Sequence, residues 1–265
     1  MNKTLFTKEL RAVLPSGGII AAVLALYIGM IVSMYDPELG KSLDAMMQSM
    51  PEVFAAFGMS TQTTTLIDFM LNYLYGFLLT AFVLVLILIM TNKVMVRHLD
   101  RGSMAYLLAT PNSRTCIACT MIGVMTTILA GLAVVVTSLE VGVSEALFPG
   151  ELDMQALLRV NAGLLALWLA LASLCFLSAC LFPNTAAALW AGGALSILFF
   201  LMQMVSQVSD KLEFLENANP LSLFDYYGLA AGETTAASGA VVLLVAAIAL
   251  FAVAVAVFAH RDLSV

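Results

Sequence analysis

Six stretches of the chain stay apolar for about the length that crosses a bilayer. They run approximately from Ser16 to Tyr35, Phe69 to Thr91, Cys116 to Ser138, Val160 to Phe182, Thr185 to Ser206 and Ser238 to Ala259. A hydrocarbon core about 30 Å thick takes roughly 20 residues of helix to span. None of the six carries an Asp, Glu, Lys, Arg or His in its central part. Their apolar residues are continuous, whereas the strands of a membrane barrel would alternate. The pattern predicts an all-α integral membrane protein with six transmembrane helices. A helix also satisfies its own backbone hydrogen bonds, as lipid demands.

The segments between the spans have their own patterns. In residues 1–15, Leu5, Phe6, Leu10, Val13 and Leu14 share one side of a helical wheel, opposite Thr4, Thr7, Lys8 and Arg11. This suits either a helix in the headgroup plane or a plain basic flank. Glu9 falls inside the apolar arc, where it would pair with a basic group or face a partner. Pro15, Gly17 and Gly18 permit a sharp bend into the first span. Residues 36–68 are predicted to hold a short amphipathic helix from Asp44 to Phe57, ended by Gly58. Pro183-Asn184 makes a tight turn between the fourth and fifth spans, and residues 207–237 suit short helices at the interface. With no repeat or low-complexity tract, residues 1–265 read as a single domain.

Composition narrows the class. Of 265 residues, 62% are hydrophobic and 11% charged, against about 25% charged in soluble domains. That excludes a soluble enzyme, a disordered chain and, with a net charge of −6, a nucleic-acid binder. Orientation follows from the basic residues. With the N-terminus in the cytoplasm, eight lie inside: Lys3, Lys8, Arg11, Lys93, Arg97, Arg101, Arg114 and Arg261. Lys41, Arg159 and Lys211 lie outside. All acids except Glu9, Asp100 and Asp262 then fall outside. Both termini are expected in the cytoplasm. The first span should stay as an anchor, because no cleavage site follows it.

Chemical motifs are scarce. Gly40-Lys41-Ser42 matches the end of a phosphate-binding loop, but Tyr35 stands where its first Gly belongs. His98 and His260 flank cytoplasmic charges and are expected to be solvated, with no metal role. The four cysteines, Cys116, Cys119, Cys175 and Cys180, share one depth and read as small apolar residues. Without an ionisable group in a span centre, proton coupling is not expected. Ala188, Gly192 and Ser196 form a small-residue face on the fifth span. That face suits either packing within the subunit or a dimer interface.

The loop 92–115 holds half of the inside basic residues. Arg97 to Ala109 can form a short helix with apolar Leu99, Leu107 and Leu108 beside charged Arg97, Asp100 and Arg101; Pro111 ends it. A docking helix needs such apolar residues in the cytoplasm, and a topogenic loop does not.

The stretch Asp100-Arg101-Gly102-Ser103 followed by Tyr106-Leu107-Leu108-Ala109-Thr110-Pro111-Asn112-Ser113-Arg114 resembles the signature of type-2 ABC exporter permeases. Lys8-Glu9-Leu10-Arg11 is similar to that family's elbow, and Met50-Pro51-Glu52 through Gly58 to its first outer loop. Phe258-Ala259-His260-Arg261-Asp262-Leu263 is similar to its C-terminal ending. One departure is Cys116-Ile117-Ala118-Cys119-Thr120, where relatives often place a Lys.

The resemblance implies a permease subunit of an ATP-driven exporter in the plasma (inner) membrane of a bacterium. It implies no cofactor or ATPase activity in this chain, with ATP and Mg used by a separate cytoplasmic ATP-binding subunit present in two copies. A second permease, identical or homologous, would complete the complex. Leu99, Asp100, Arg101, Gly102, Leu107, Leu108, Pro111 and Arg114 would shape the coupling helix, and Lys8, Glu9 and Arg11 the elbow. The expected cargo is an amphipathic or hydrophobic peptide, drug or lipid. The alternatives are a membrane assembly or sensor protein that transports nothing, and an ion-coupled carrier.

Overall fold

The computed structural model describes residues 2–35, 49–57, 59, 65–100, 113–182, 185–207 and 219–260. Among them the secondary structure is helical, with six helices long and apolar enough to cross a membrane. Span one is Lys3–Ser33, span two Leu66–Val96, span three Arg114–Leu147, span four Met154–Leu181, span five Thr185–Ser206 and span six Thr234–His260. Most outrun the apolar windows of the sequence. Span three has 34 residues, about 50 Å at 1.5 Å per residue, so its ends pass well beyond a bilayer core.

Side-chain caps fix several helix starts. Asn2 accepts from the N–H groups of Thr4 and Leu5, Ser113 from Cys116, and Asp153 from Gln155 and Ala156. Thr65 and Asp68 make a reciprocal capping box at the start of span two. Between spans five and six, a 3₁₀ turn at Pro220–Leu223 leads to a short helix at Tyr226–Ala231. Gly232, at φ 80°, closes that helix in the left-handed conformation. Short helices are what the sequence suggested for 207–237, of which 208–218 lie outside the described residues.

Span four is the hub, touching spans two, three, five and six, while span one packs on spans three and two. Trp168, Phe176 and Leu157 of span four are fully buried. Span six buries one stripe, including Leu243, Ala247, Ala254 and Phe258, and leaves Val241, Val245 and Ile248 exposed. An apolar outer face is what a lipid-facing helix requires, because lipid tails are as apolar as the core.

Span one is continuous. Helix runs unbroken through Pro15, so no separate elbow is set off from the span. The reason is its buried stripe of Leu5, Glu9, Val13, Gly17, Ile20, Leu24 and Ile28. These positions repeat every three or four residues straight across the proline. Packing of that stripe against span three outweighs the one backbone hydrogen bond that proline removes.

Span two is not regular. It holds π-helical turns at Leu71–Tyr75 and Asn92–Val96, and a break at Gly76–Phe77. Such turns shift the side chains that follow them and often sit at functional positions. Both adjoin polar contacts.

Candidate functional site

The start of span one, the end of span two and the start of span three meet at one end of the bundle, here the proximal end. Three sets of hydrogen bonds hold them. The Asn2 N–H donates to Thr120 Oγ1 of span three at 3.0 Å. Lys93, in the second π turn, donates from Nζ to Ser16 Oγ at 2.6 Å and to the Ala12 carbonyl at 3.3 Å. His98 Nε2 lies 3.1 Å from Glu9 Oε1.

Glu9 is fully buried and His98 is 5% exposed. Glu9 therefore pairs with a basic group, one of the two roles its place in the apolar arc predicted. The expectation that His98 is solvated is corrected. His98 lies two residues beyond the π turn, and the end of span two turns it inward onto span one. Glu9 Oε2 has no hydrogen-bond partner among the described residues. A carboxylate in such a place is costly to leave alone, so the His98 contact matters to the fold of this end. Lys8 and Arg11 point outward from the same helix.

The remaining loop residues divide. Leu99 and Asp100 fall in the last helical turn, Arg97–Asp100, and Arg114 opens span three. Arg101, Gly102, Leu107, Leu108 and Pro111 lie outside the described residues. What is seen is the frame of the loop: two helix ends, both bonded to span one.

The small face of span five packs within the chain. Ala188 and Ser196 are buried. Ser178 Oγ of span four donates to the Ala188 carbonyl at 2.8 Å, and Cys175 Sγ lies 3.5 Å from Ser196 Oγ. A Cβ on Gly192 would stand 2.8 Å from Ser178 Cβ and 2.9 Å from Cys175 Cα. Of the two readings of Ala188, Gly192 and Ser196, the structure realises packing onto span four. The opposite face of span five presents Trp190, Ile197, Leu198 and Leu201 outward. Between spans two and five, Leu88, Asn92, Trp190 and Gly193 line a mostly apolar groove of about 350 Å³.

The distal half holds a polar cluster that the sequence did not reveal. Span three continues past Ser138, so Glu140 is part of the bundle and fully buried. The Tyr75 hydroxyl of span two lies 2.9 Å from Glu140 Oε1 and 2.8 Å from Asn161 Oδ1 of span four. Asn161 Nδ2 donates to Glu140 Oε2 at 2.7 Å. One turn away, Tyr227 donates to Asn72 Oδ1, which shares the first π turn with Tyr75. Assigning Glu140 to the outer acids is thereby corrected: the apolar window ended two residues too early to include it. Asn161, a polar residue one position into an apolar run, was the available signal.

Residues 3–263 match the family described as ABC-2 family transporter protein. No curated protein matches the chain. With the match covering nearly the whole length, the chain belongs to the ABC-2 transporter family, the membrane component of ABC transporters. Members of this kind work with a cytoplasmic ATP-binding subunit, which uses ATP and Mg.

Proposed function

We propose that this ABC-2 family chain is the permease subunit of an ATP-driven exporter whose cargo is amphipathic or hydrophobic. The proximal end is its cytoplasmic end, and the loop 92–115 is the surface on which the ATP-binding subunit bears. The observation that carries the reading is the stapling of span one to both flanks of that loop. Lys93 and His98 on one flank and Thr120 on the other each bond to the first sixteen residues. A push on the loop is thus delivered to spans one, two and three together. Two copies of the ATP-binding subunit and a second permease complete the assembly. The outward apolar faces of the peripheral spans meet that second permease and lipid.

Within the loop, Leu107 and Leu108 supply the apolar contact and Asp100, Arg101 and Arg114 frame it. Co-purification tests the assignment. The double variant Leu107→Asp, Leu108→Asp should insert in the membrane at normal levels yet lose the ATP-binding subunit. Retention of that subunit at the wild-type ratio would refute the docking role.

A further inference from the structure

Glu140, Tyr75 and Asn161 form a closed triangle, and counting hydrogens around it decides its charge. Each of the three sides is within hydrogen-bond distance: 2.9 Å for Glu140–Tyr75, 2.8 Å for Tyr75–Asn161 and 2.7 Å for Asn161–Glu140. Three sides need three hydrogens. A tyrosine hydroxyl has one to give. Asn161 presents its oxygen to one neighbour and its NH₂ to the other, so it supplies one side. An ionised carboxylate supplies none, which leaves one pair of acceptor oxygens facing each other without a hydrogen. Turning the Asn161 amide over, an assignment open at any amide, moves the empty side to Asn161–Glu140 and does not fill it. A protonated Glu140 fills it in either arrangement. With the amide as placed, the acid donates to the Tyr75 oxygen, Tyr75 donates to Asn161 Oδ1, and Asn161 donates back to Glu140 Oε2.

The surroundings supply no compensating charge among the described residues. The buried face of span six offers Ala236, Gly239, Leu243 and Ala247. The stripe of span one that packs on span three has Glu9 as its only ionisable group, at the proximal end. Arg159 of span four bonds outward, to the Ala230 carbonyl at 2.7 Å. Among the described residues, Tyr75 and Asn161 are the only side chains hydrogen-bonded to Glu140.

We propose that Glu140, Tyr75 and Asn161 form a buried proton-binding site within the helix bundle, in which one bound proton closes a hydrogen-bonded ring clamping spans two, three and four. Each member comes from a different span and lies about two turns from a distal helix end. Parting the spans removes both partners of Glu140 and admits water, where an ordinary glutamate ionises near pH 4.3 and gives its proton up at about neutral pH. Glu140 lies about two turns from the end of span three, outside the span centres in which no ionisable group was expected. The inference stands independently of the ATP-binding partner.

The neutral isostere gives the test. In Glu140→Gln the amide NH₂ takes the place of the acid O–H, so the ring closes with no added proton. The purified full chain in lipid nanodiscs should melt within about 2 °C of wild type for Glu140→Gln, with Glu140→Ala and Tyr75→Phe lower by several times that. Infrared difference spectra at neutral pH, wild type minus Glu140→Gln, should show the carbonyl band of a protonated carboxylic acid. Unfolding in weakly buffered dye at neutral pH should release about one more proton from wild type than from Glu140→Gln. Carboxylate bands in place of the acid band would overturn the proposal, as would equal proton release from the two proteins. Loss of stability in Glu140→Gln as large as in Glu140→Ala would do the same, because it would mean that the site needs a charge.

Discussion

Glu9 is the residue at which sequence pattern and structure meet most directly. A single acid in an apolar arc is a local conflict, and such conflicts gather at functional sites. The structure resolves it by burying the carboxyl against His98. Removing either partner leaves the other polar group buried with one partner fewer. Each single substitution, Glu9→Ala or His98→Ala, should cost roughly 2–4 kcal/mol. The double variant should cost less than their sum by at least ~1 kcal/mol, because the second change removes a group already stranded. Thermal unfolding of the four proteins in detergent reads this coupling. Strict additivity would mean that the two side chains do not act as a pair. His98 itself was not legible as a partner. Its neighbours in sequence are charged, and only the π turn at Asn92–Val96 turns it toward span one.

At the scale of elements, the existence of the spans was legible and their internal irregularities were not. Apolar continuity finds a helix wherever lipid requires one, so all six appear where expected. It cannot find where a helix goes on after leaving the apolar window, which is why Glu140 was misplaced. Nor can it find π turns, which leave no periodic trace over five residues. Pro15 shows the same limit from the other side. It permits an interruption, yet helix continues through it, because the stripe from Leu5 to Ile28 rewards continuity.

Span five carries the element-scale prediction. Gly192 lets span five approach the backbone of span four at Cys175, and a methyl group there forces the helices apart. Gly192→Ala should destabilise the chain by about 1–3 kcal/mol. Gly29→Ala is the matched control, since a Cβ there meets nothing within 4 Å. With only helix propensity changed, it should stabilise by up to about 1 kcal/mol. Equal effects at the two sites would mean that the span four–span five approach is looser than the geometry requires.

For the whole molecule, six spans place the two ends of the bundle in different compartments, and the basic residues argue which is which. Eight of eleven fall in the inside segments by the sequence count, and one of them, Lys93, sits at the proximal end in contact with span one. The chain carries its own reporter: Cys119 is exposed near the start of span three, while Cys175 and Cys180 are buried. At the other end, Glu151 is exposed in the short connection between spans three and four. A membrane-impermeant maleimide applied to intact cells should leave Cys119 unmodified and should label it once the membrane is opened. In a variant with the native cysteines replaced, Glu151→Cys should label in intact cells. Labelling of Cys119 from outside would invert the topology. The loop 92–115 would then face away from cellular ATP, and the proposed coupling to a cytoplasmic ATP-binding subunit would fail with it. The proton site would be untouched, because the hydrogen count at Glu140 does not depend on which compartment the distal end faces.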